Sequence, residues 1–325
     1  MIPVMKKTIA GIFILLFFLI SCNPGKRDGN KQNIDVATLR GPSAISMVHM
    51  IDSLKTIQDR KINFRIKNEP LQIRPLLFQE KVEYAVVPTN MASILYNKGV
   101  NYQLAAVPVW GTLYLFGESE EITSWNDLKG KNIHLMAKGM TPDVMFRYLL
   151  EKNGIDPQEE VTLDYSFPTH IELANAVASG KADLGVISEP MVSMVIHKNN
   201  RVQPILSLNE AWKKQTNMEI PQTAILVHKE YAKEHKQQVN LFLEEYDRSV
   251  RWINGNPKRG SKLIVKNNIL ENEKVAFQSI PRCNMQFRYA YDIRKMVNNY
   301  LEIFHDMNPD IIGGKLPDED FYYKK

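Results

Sequence analysis

From Ile34 onward the chain repeats one unit: a short apolar run, a polar turn holding Pro, Ser or Thr, then a segment with apolar residues at helical spacing. The first copy runs from Ile34 to Leu39 and turns at Arg40-Gly41-Pro42-Ser43. It continues as a helix carrying Ile45, Val48, Met50, Ile51 and Leu54. Proline fits a first helical turn, where an amide proton would be unpaired anyway, and Ser43 is the expected cap. Strands alternating with helices in this way predict a parallel α/β sheet with helices on its faces.

Two later segments read alike, each as helix, acid, strand and turn. Leu76-Leu77-Phe78 leads through Lys81-Val82-Glu83 into Tyr84-Ala85-Val86-Val87 and Pro88-Thr89-Asn90-Met91. Leu173-Ala174-Asn175-Ala176-Val177 leads through Gly180-Lys181-Ala182-Asp183 into Leu184-Gly185-Val186-Ile187 and Ser188-Glu189-Pro190-Met191. The likeness predicts two related lobes. Leu104 to Phe116 is apolar but broken by Pro108 and Gly111, too long for one plain strand and too interrupted for a helix. It predicts a crossover between the lobes, with a return at Ile220 to Val227. The expected division is residues 33–115 with 222–325 as lobe I and 116–221 as an inserted lobe II. After Lys229 the pattern predicts helices and no strand: Tyr231 to Asn254, Pro257 to Lys266, Glu271 to Ser279, and Met285 to His305.

The start of the chain changes the picture of where the protein works. Lys6-Lys7, the twelve-residue apolar run Ile9 to Ile20, and Leu19-Ile20-Ser21-Cys22 resemble a bacterial lipoprotein export signal. Such a run falls within the ~7–15 residues of a signal core and short of the ~20 a spanning helix needs. The resemblance implies a signal at 1–21, lipid on Cys22, a tether at 22–32, and anchoring at the periplasmic face of a bacterial membrane. Removing residues 1–21 removes Lys6 and Lys7 and no acid, which lowers the net charge from +5 to +3. With Lys and Glu interleaved from Lys229 to Lys236, this is a solvated surface and not a nucleic-acid-binding stripe. If Cys22 carries lipid, Cys283 has no intrachain partner, and the apolar core must hold the fold. At 325 residues and 44% hydrophobic content the chain can build about two domains.

Ligands of open α/β sheets bind beyond the carboxyl ends of the strands, where helix starts offer free N–H groups and a positive dipole end. Four such junctions are readable: Gly41-Pro42-Ser43, Thr89-Asn90, Gly139-Met140-Thr141 and Ser188-Glu189. Facing one another, they would hold a small polar solute. Ser43, Asn90 and Thr141 are also natural helix caps, the commoner role for such residues. Trp110, Tyr165 and Phe167 suit either an apolar wall or the core, and Arg40 either an anion or the surface. A carboxylate at Glu189 would repel a sulfonate or nitrate and favour an amine or ring N–H, unless it simply faces solvent at a helix start. The chain carries no G-x-S-x-G, P-loop, G-x-G-x-x-G or H-E-x-x-H motif. His49, His134, His170 and His197 lack metal-ligand spacing, so neither a metal nor a cofactor is expected.

Several segments then carry a family likeness in a fixed order. They are Trp125-Asn126-Asp127-Leu128-Lys129-Gly130-Lys131, Lys138-Gly139-Met140-Thr141-Pro142, the run from Phe146 to Asn153-Gly154-Ile155-Asp156, Ala176 to Pro190, and the tail from Gly314 to Phe321. Together they resemble the type II substrate-binding proteins of ABC transporters, in the nitrate, sulfonate, taurine and thiamine-precursor group. The resemblance covers Ile34 to Tyr323. It implies a two-lobe α/β fold, each lobe a mainly parallel sheet flanked by helices, with two crossover segments. It also implies a monomer that closes on a small-molecule ligand and delivers it to an ABC permease, with no catalysis. The turn Leu39 to Ser43 departs from the Gly- or Tyr-rich turn of that group. Related two-lobe proteins include menaquinone-pathway and thiamine-pyrimidine enzymes, so an enzyme on this fold is the alternative. The cysteine-rich signature of the pyrimidine synthases is absent.

Overall fold

The computed structural model describes residues 33–118, 121–136 and 138–325, which belong to one compact unit. The export signal, Cys22 and the tether lie outside the described residues. In chain order the strands are β1 (Asn33–Leu39), β2 (Thr56–Ile57), β3 (Arg60–Lys67), β4 (Tyr84–Pro88), β5 (Tyr102–Trp110), β6 (Leu113–Gly117), β7 (Asn132–Leu135), β8 (Thr162–Asp164), β9 (Leu184–Ser188), β10 (Gln203–Ser207), β11 (Pro221–His228) and β12 (Met285–Tyr289). The helices are α1 (Pro42–Ser46), α2 (Val48–Ser53), α3 (Pro70–Phe78), α4 (Thr89–Asn97), α5 (Thr141–Lys152), α6 (His170–Ala178), α7 (Met191–Lys198), α8 (Leu208–Thr216), α9 (Lys229–Glu234), α10 (Lys236–Gly255), α11 (Pro257–Lys266), α12 (Glu273–Ser279) and α13 (Arg294–Met307).

Two sheets result, β12-β5-β11-β4-β1-β3-β2 and β10-β6-β9-β7-β8. The parallel grammar of the sequence builds a three-stranded block in each, β3-β1-β4 in one and β8-β7-β9 in the other. The strands that carry the chain between lobes join antiparallel, β11 beside β4 and β6 beside β9. The two look-alike segments occupy equivalent places, with β4 between β1 and β11, and β9 between β7 and β6. Their preceding helices start alike, each on a reciprocal capping pair, Glu69 with Gln72 and Thr169 with Glu172.

The first crossing is the two-residue step Gly111-Thr112 between β5 and β6, so the second sheet begins at Leu113. Gly111 donates its N–H to the Ile220 carbonyl at 3.0 Å, which ties the outgoing segment to the returning one. Ile220 in turn donates to Asn209 Oδ1 at 3.2 Å. At φ +28° a Cβ on Gly111 would fall 2.2 Å from Asn209 Oδ1, so only glycine fits.

The apolar core is shared unequally. One cluster runs through both lobes and includes Ala37, Val87, Leu113, Val186, Trp212 and Tyr300. A second stays in the first lobe, under α1, α2 and α10 to α12, and a third stays in the second lobe around Phe116, Leu173 and Val192. Where the shared cluster crosses, the Trp212 ring lies 5.1 Å from Tyr148 of α5 and 5.8 Å from Tyr300 of α13.

Three expectations need correction. Met285 to His305 is not one helix: Met285, Phe287 and Tyr289 alternate as β12 against β5, and α13 starts only at Arg294. Tyr231 to Asn254 breaks at His235 into α9 and α10. The first helix splits at Met47, and its cap is Gly41, with no side-chain cap bond from Ser43. No helix among the described residues is long and apolar enough to cross a membrane.

Candidate functional site

The four predicted junctions all exist at carboxyl ends of parallel strands, and their side chains are not spent on capping. The caps of α1, α4 and α5 are Gly41, Pro88 and Met140, none with a side-chain cap bond. Ser43, Asn90 and Thr141 sit one or two places inside their helices and are 2%, 5% and 7% exposed. The capping role expected for them is therefore overturned, because each cap position falls earlier in the chain.

In the first lobe three buried threonine hydroxyls, Thr38 Oγ1, Thr89 Oγ1 and Thr223 Oγ1, have no hydrogen-bond partner among the described residues. Thr38 is next to last in β1, Thr89 follows β4, and Thr223 pairs with Pro88 across β11 and β4. They therefore stand on three neighbouring strands at the carboxyl end of the parallel block, beside the start of α4. Leaving a buried hydroxyl unpaired costs about 1–3 kcal/mol, which a ligand oxygen at this end could recover.

In the second lobe, Glu189 is buried and fully engaged. It accepts from Arg282 Nε, from Ser193 Oγ at 3.0 Å and from Ser193 N at 3.1 Å, while Arg282 Nη2 donates to Ser193 Oγ at 2.6 Å. Burial pushes the Glu189 carboxyl above its ordinary range, against the pull of the Arg282 guanidinium and the Ser193 donors. Only donors face it, so the ionised form is the one its partners satisfy. The Glu189 N–H donates to the Thr112 carbonyl at 3.0 Å, fixing this turn to the crossover. Glu189 is thus neither solvent-facing nor a bare charge, and its repulsion of anions is cancelled by Arg282. Pro190 meets the opposite lobe: a Cβ on Gly41, whose φ is +112°, would lie 3.5 Å from Pro190 Cδ.

The remaining candidates divide. Trp110 is core, fully buried, with Nε1 donating to the Gln286 carbonyl at 2.7 Å and Arg288 stacked 4.2 Å from its ring. β12, missed in the sequence, covers it, so of the two roles left open in the sequence, wall and core, Trp110 takes the core one in this arrangement. Phe167 is half-buried, 5.3 Å from the His134 ring. Tyr165 donates to Asp143 Oδ1 at 2.6 Å, and Asp143 also takes Arg147 Nε at 2.7 Å and Gly139 N at 2.7 Å. That network holds the Gly139 loop and leaves Met140 exposed. Ser188 pairs with Leu113 at the end of β9, and Pro42 is half-buried at the start of α1. Arg40 is spent on Asn68 Oδ1 at 2.7 Å and on the Asn268 and Ile269 carbonyls. An open groove of about 560 Å³ along Lys138, Arg147, Gln158, Thr162 and Tyr165 contains none of the junction residues, and its guanidinium is already paired with Asp143.

Sequence reading missed Arg282, Thr38 and Thr223. Ser193, in the first turn of α7 and four residues after Glu189, could have been found from that spacing. Cys283 is fully buried, which pushes its thiol well above the ordinary range and leaves it unreactive.

Two lobes, crossed twice by the chain and meeting at strand-to-helix junctions, define the periplasmic-binding-protein class. The family model for ABC transporter, phosphonate, periplasmic substrate-binding protein matches residues 48–274, and the chain belongs to that family. It is similar to the crystal structure of an ABC transporter from Parabacteroides distasonis, at 27% identity and TM-score 0.80, covering 90% of this chain and 99% of that one. The periplasmic aliphatic sulphonate binding protein SsuA from Escherichia coli shares the fold at 14% identity and TM-score 0.71, covering 89% of this chain and 95% of that one. The putative binding protein YtlA of Bacillus subtilis (strain 168) is 25% identical over 183 residues, 56% of this chain and 53% of that protein. The chain thus spans about half the length of that curated relative.

Proposed function

We propose that the protein is the solute-binding component of an ABC importer, that it captures a small organic oxoanion of the phosphonate or sulfonate type between its lobes, and that it is not an enzyme. The observation that carries this reading is the set of buried, unpartnered hydroxyls Thr38, Thr89 and Thr223 at the carboxyl end of the first sheet. Hydroxyls can donate to several oxygens of one anion, and the start of α4 adds its N–H groups and positive dipole end. Neutralisation of Glu189 by Arg282 removes the main reason to prefer a cationic or ring N–H ligand. The family assignment and the sulfonate-binding relatives point the same way.

The junctions Gly41-Pro42-Ser43, Thr89-Asn90, Gly139-Met140-Thr141 and Ser188 supply the contacts, while Glu189, its carboxylate taken by Arg282 and Ser193 and its N–H by Thr112, holds the last of them in place. The lobes expected at 33–115 with 222–325 and at 116–221, with their border moved to the crossover because β6 begins at Leu113, are the two moving bodies, turning about the tied crossover at Gly111 and Ile220. The start of the chain supports export and lipid on Cys22, and the family supports delivery to a membrane permease, which the protein would make as a monomer.

Thermal unfolding of the protein without its first 31 residues, against phosphonates, sulfonates, nitrate, amines, pyrimidines and amino acids, tests the reading. A ligand at ~100 times its dissociation constant adds about 2.7 kcal/mol of stability. A shift confined to oxoanions is the expected result. A shift confined to amines or pyrimidines would overturn the ligand class, and conversion of any panel member, seen by mass spectrometry, would favour the enzyme.

A further inference from the structure

The contacts between α7 and the segment after α12 are made by the chain's own polar groups, and they bridge the lobes. Arg282 belongs to the 310 turn Ile280–Cys283, which carries the first lobe toward β12; Glu189 and Ser193 belong to the second lobe at the start of α7. The Glu189 side chain is fully buried, while that of Arg282 keeps 29% exposure. Around this pair the Tyr114 hydroxyl donates to the Arg282 carbonyl at 3.4 Å, Asn272 Nδ2 lies 3.3 Å from His197 Nε2, and Gly41 faces Pro190. Each contact joins one lobe to the other. They lie between two separate apolar cores, since Ile280 and Cys283 belong to the first-lobe cluster and Val192 and Val195 to the second-lobe cluster.

A seam of this kind suits reversible closure. An ion pair recovers much of its solvation when it separates, so it contributes little net stability while fixing one geometry sharply. An apolar seam would expose hydrocarbon on opening and resist it. We propose that Arg282 is a positioning residue whose pairing with Glu189 and Ser193 latches the two lobes together, so that the closed arrangement is populated before any solute arrives. The latch deepens the solute-binding reading by naming what sets its closing equilibrium. Its test needs no solute, so it can fail or succeed independently of that reading.

Small-angle scattering is the experiment, on protein unfolded, dialysed and refolded without added solute. The samples are wild type, Arg282→Ala, Glu189→Gln, and the charge-reversed pair Glu189→Arg with Arg282→Glu, each first shown to melt cooperatively. Wild-type scattering should match the closed coordinates. Arg282→Ala and Glu189→Gln should expand, with the closed-to-open ratio falling about tenfold, within the usual range of coupling between sites. Should Arg282→Ala fail to fold, the isosteric Glu189→Gln decides, and partial recovery of compactness in the reversed pair supports a direct pairing. Identical curves for wild type and Glu189→Gln would overturn the latch, as would a wild type already expanded.

Discussion

The two lobes meet along two seams of opposite chemistry. On one, Trp212 sits between Tyr148 and Tyr300 inside an apolar cluster that runs unbroken through both lobes. On the other, Arg282, Glu189, Ser193, Asn272 and His197 meet between two apolar clusters that remain separate. One chain is thereby both a stable body and a moving one. Hydrocarbon stays buried where the lobes must remain joined, beside the tied crossover at Gly111 and Ile220. Charge is placed where they must part, because water can replace a protein hydrogen bond but cannot replace apolar burial.

The largest effect should come from breaking the apolar seam. Trp212 is fully buried, and Trp212→Ala is expected to lower the unfolding free energy by about 3–5 kcal/mol, measured by urea denaturation. Next comes Gly111→Ala, which forces a Cβ against Asn209 at positive φ and should cost about 1–3 kcal/mol on the same assay. Adding Asn209→Ala should restore part of that loss by removing the clash. Breaking the polar seam should look different. Arg282→Ala would cost ~3–5 kcal/mol if Glu189 stayed buried and unpaired, but opening lets water reach the carboxylate, so the measured loss should fall well below that range. A loss as large as that of Trp212→Ala would mean that the seam cannot open.

Thr89→Val separates binding from folding. Its hydroxyl has no partner, so stability should hold or rise, by up to about 1–3 kcal/mol, while affinity for the oxoanion that shifts the wild-type melt should fall measurably by calorimetry. The smallest effect is a control away from both seams. The hydrogen bond from Lys266, at 2.7 Å, holds the Asp52 carboxyl below its ordinary range. A depressed folded value means this contribution is present above about pH 4 and lost as the pH falls through the folded value. Because the Lys266 side chain is largely exposed and water screens the pair, Asp52→Asn should cost under about 0.5 kcal/mol at neutral pH and flatten the acid limb of the stability profile slightly.

Much of this comparison was legible in the sequence, but only one side of it in full. The β–α units, the matched segments before Pro88 and Pro190, and the crossing at Gly111 were readable because burial imposes local periodicity and glycine marks a constrained turn. Glu189 was readable as a polar residue at a strand end. Arg282 was not, since it stands 93 residues from its partner in a turn with no local pattern, and only tertiary packing brings it to α7. The alternation Met285, Phe287, Tyr289 did signal β12, but it runs into the helical periodicity of α13 and was absorbed by it. That loss hid the cover over Trp110 and made a core residue look available to a ligand. The orphan threonines were invisible for another reason: a hydroxyl's lack of partners is a property of the packed state and leaves no trace in spacing.

The most direct test of solute capture by closure is an interlobe distance measured as solute is added. Leu71 and Ile171, 71% and 61% exposed, lie at the second positions of the equivalent helices α3 and α6, one on each lobe at the carboxyl-end rim. Dye pairs on Leu71→Cys and Ile171→Cys, in the Arg282→Ala background, should report a broad open distribution that an oxoanion solute gathers into a single shorter distance. A solute that binds by calorimetry yet leaves that distribution unchanged would contradict capture by closure.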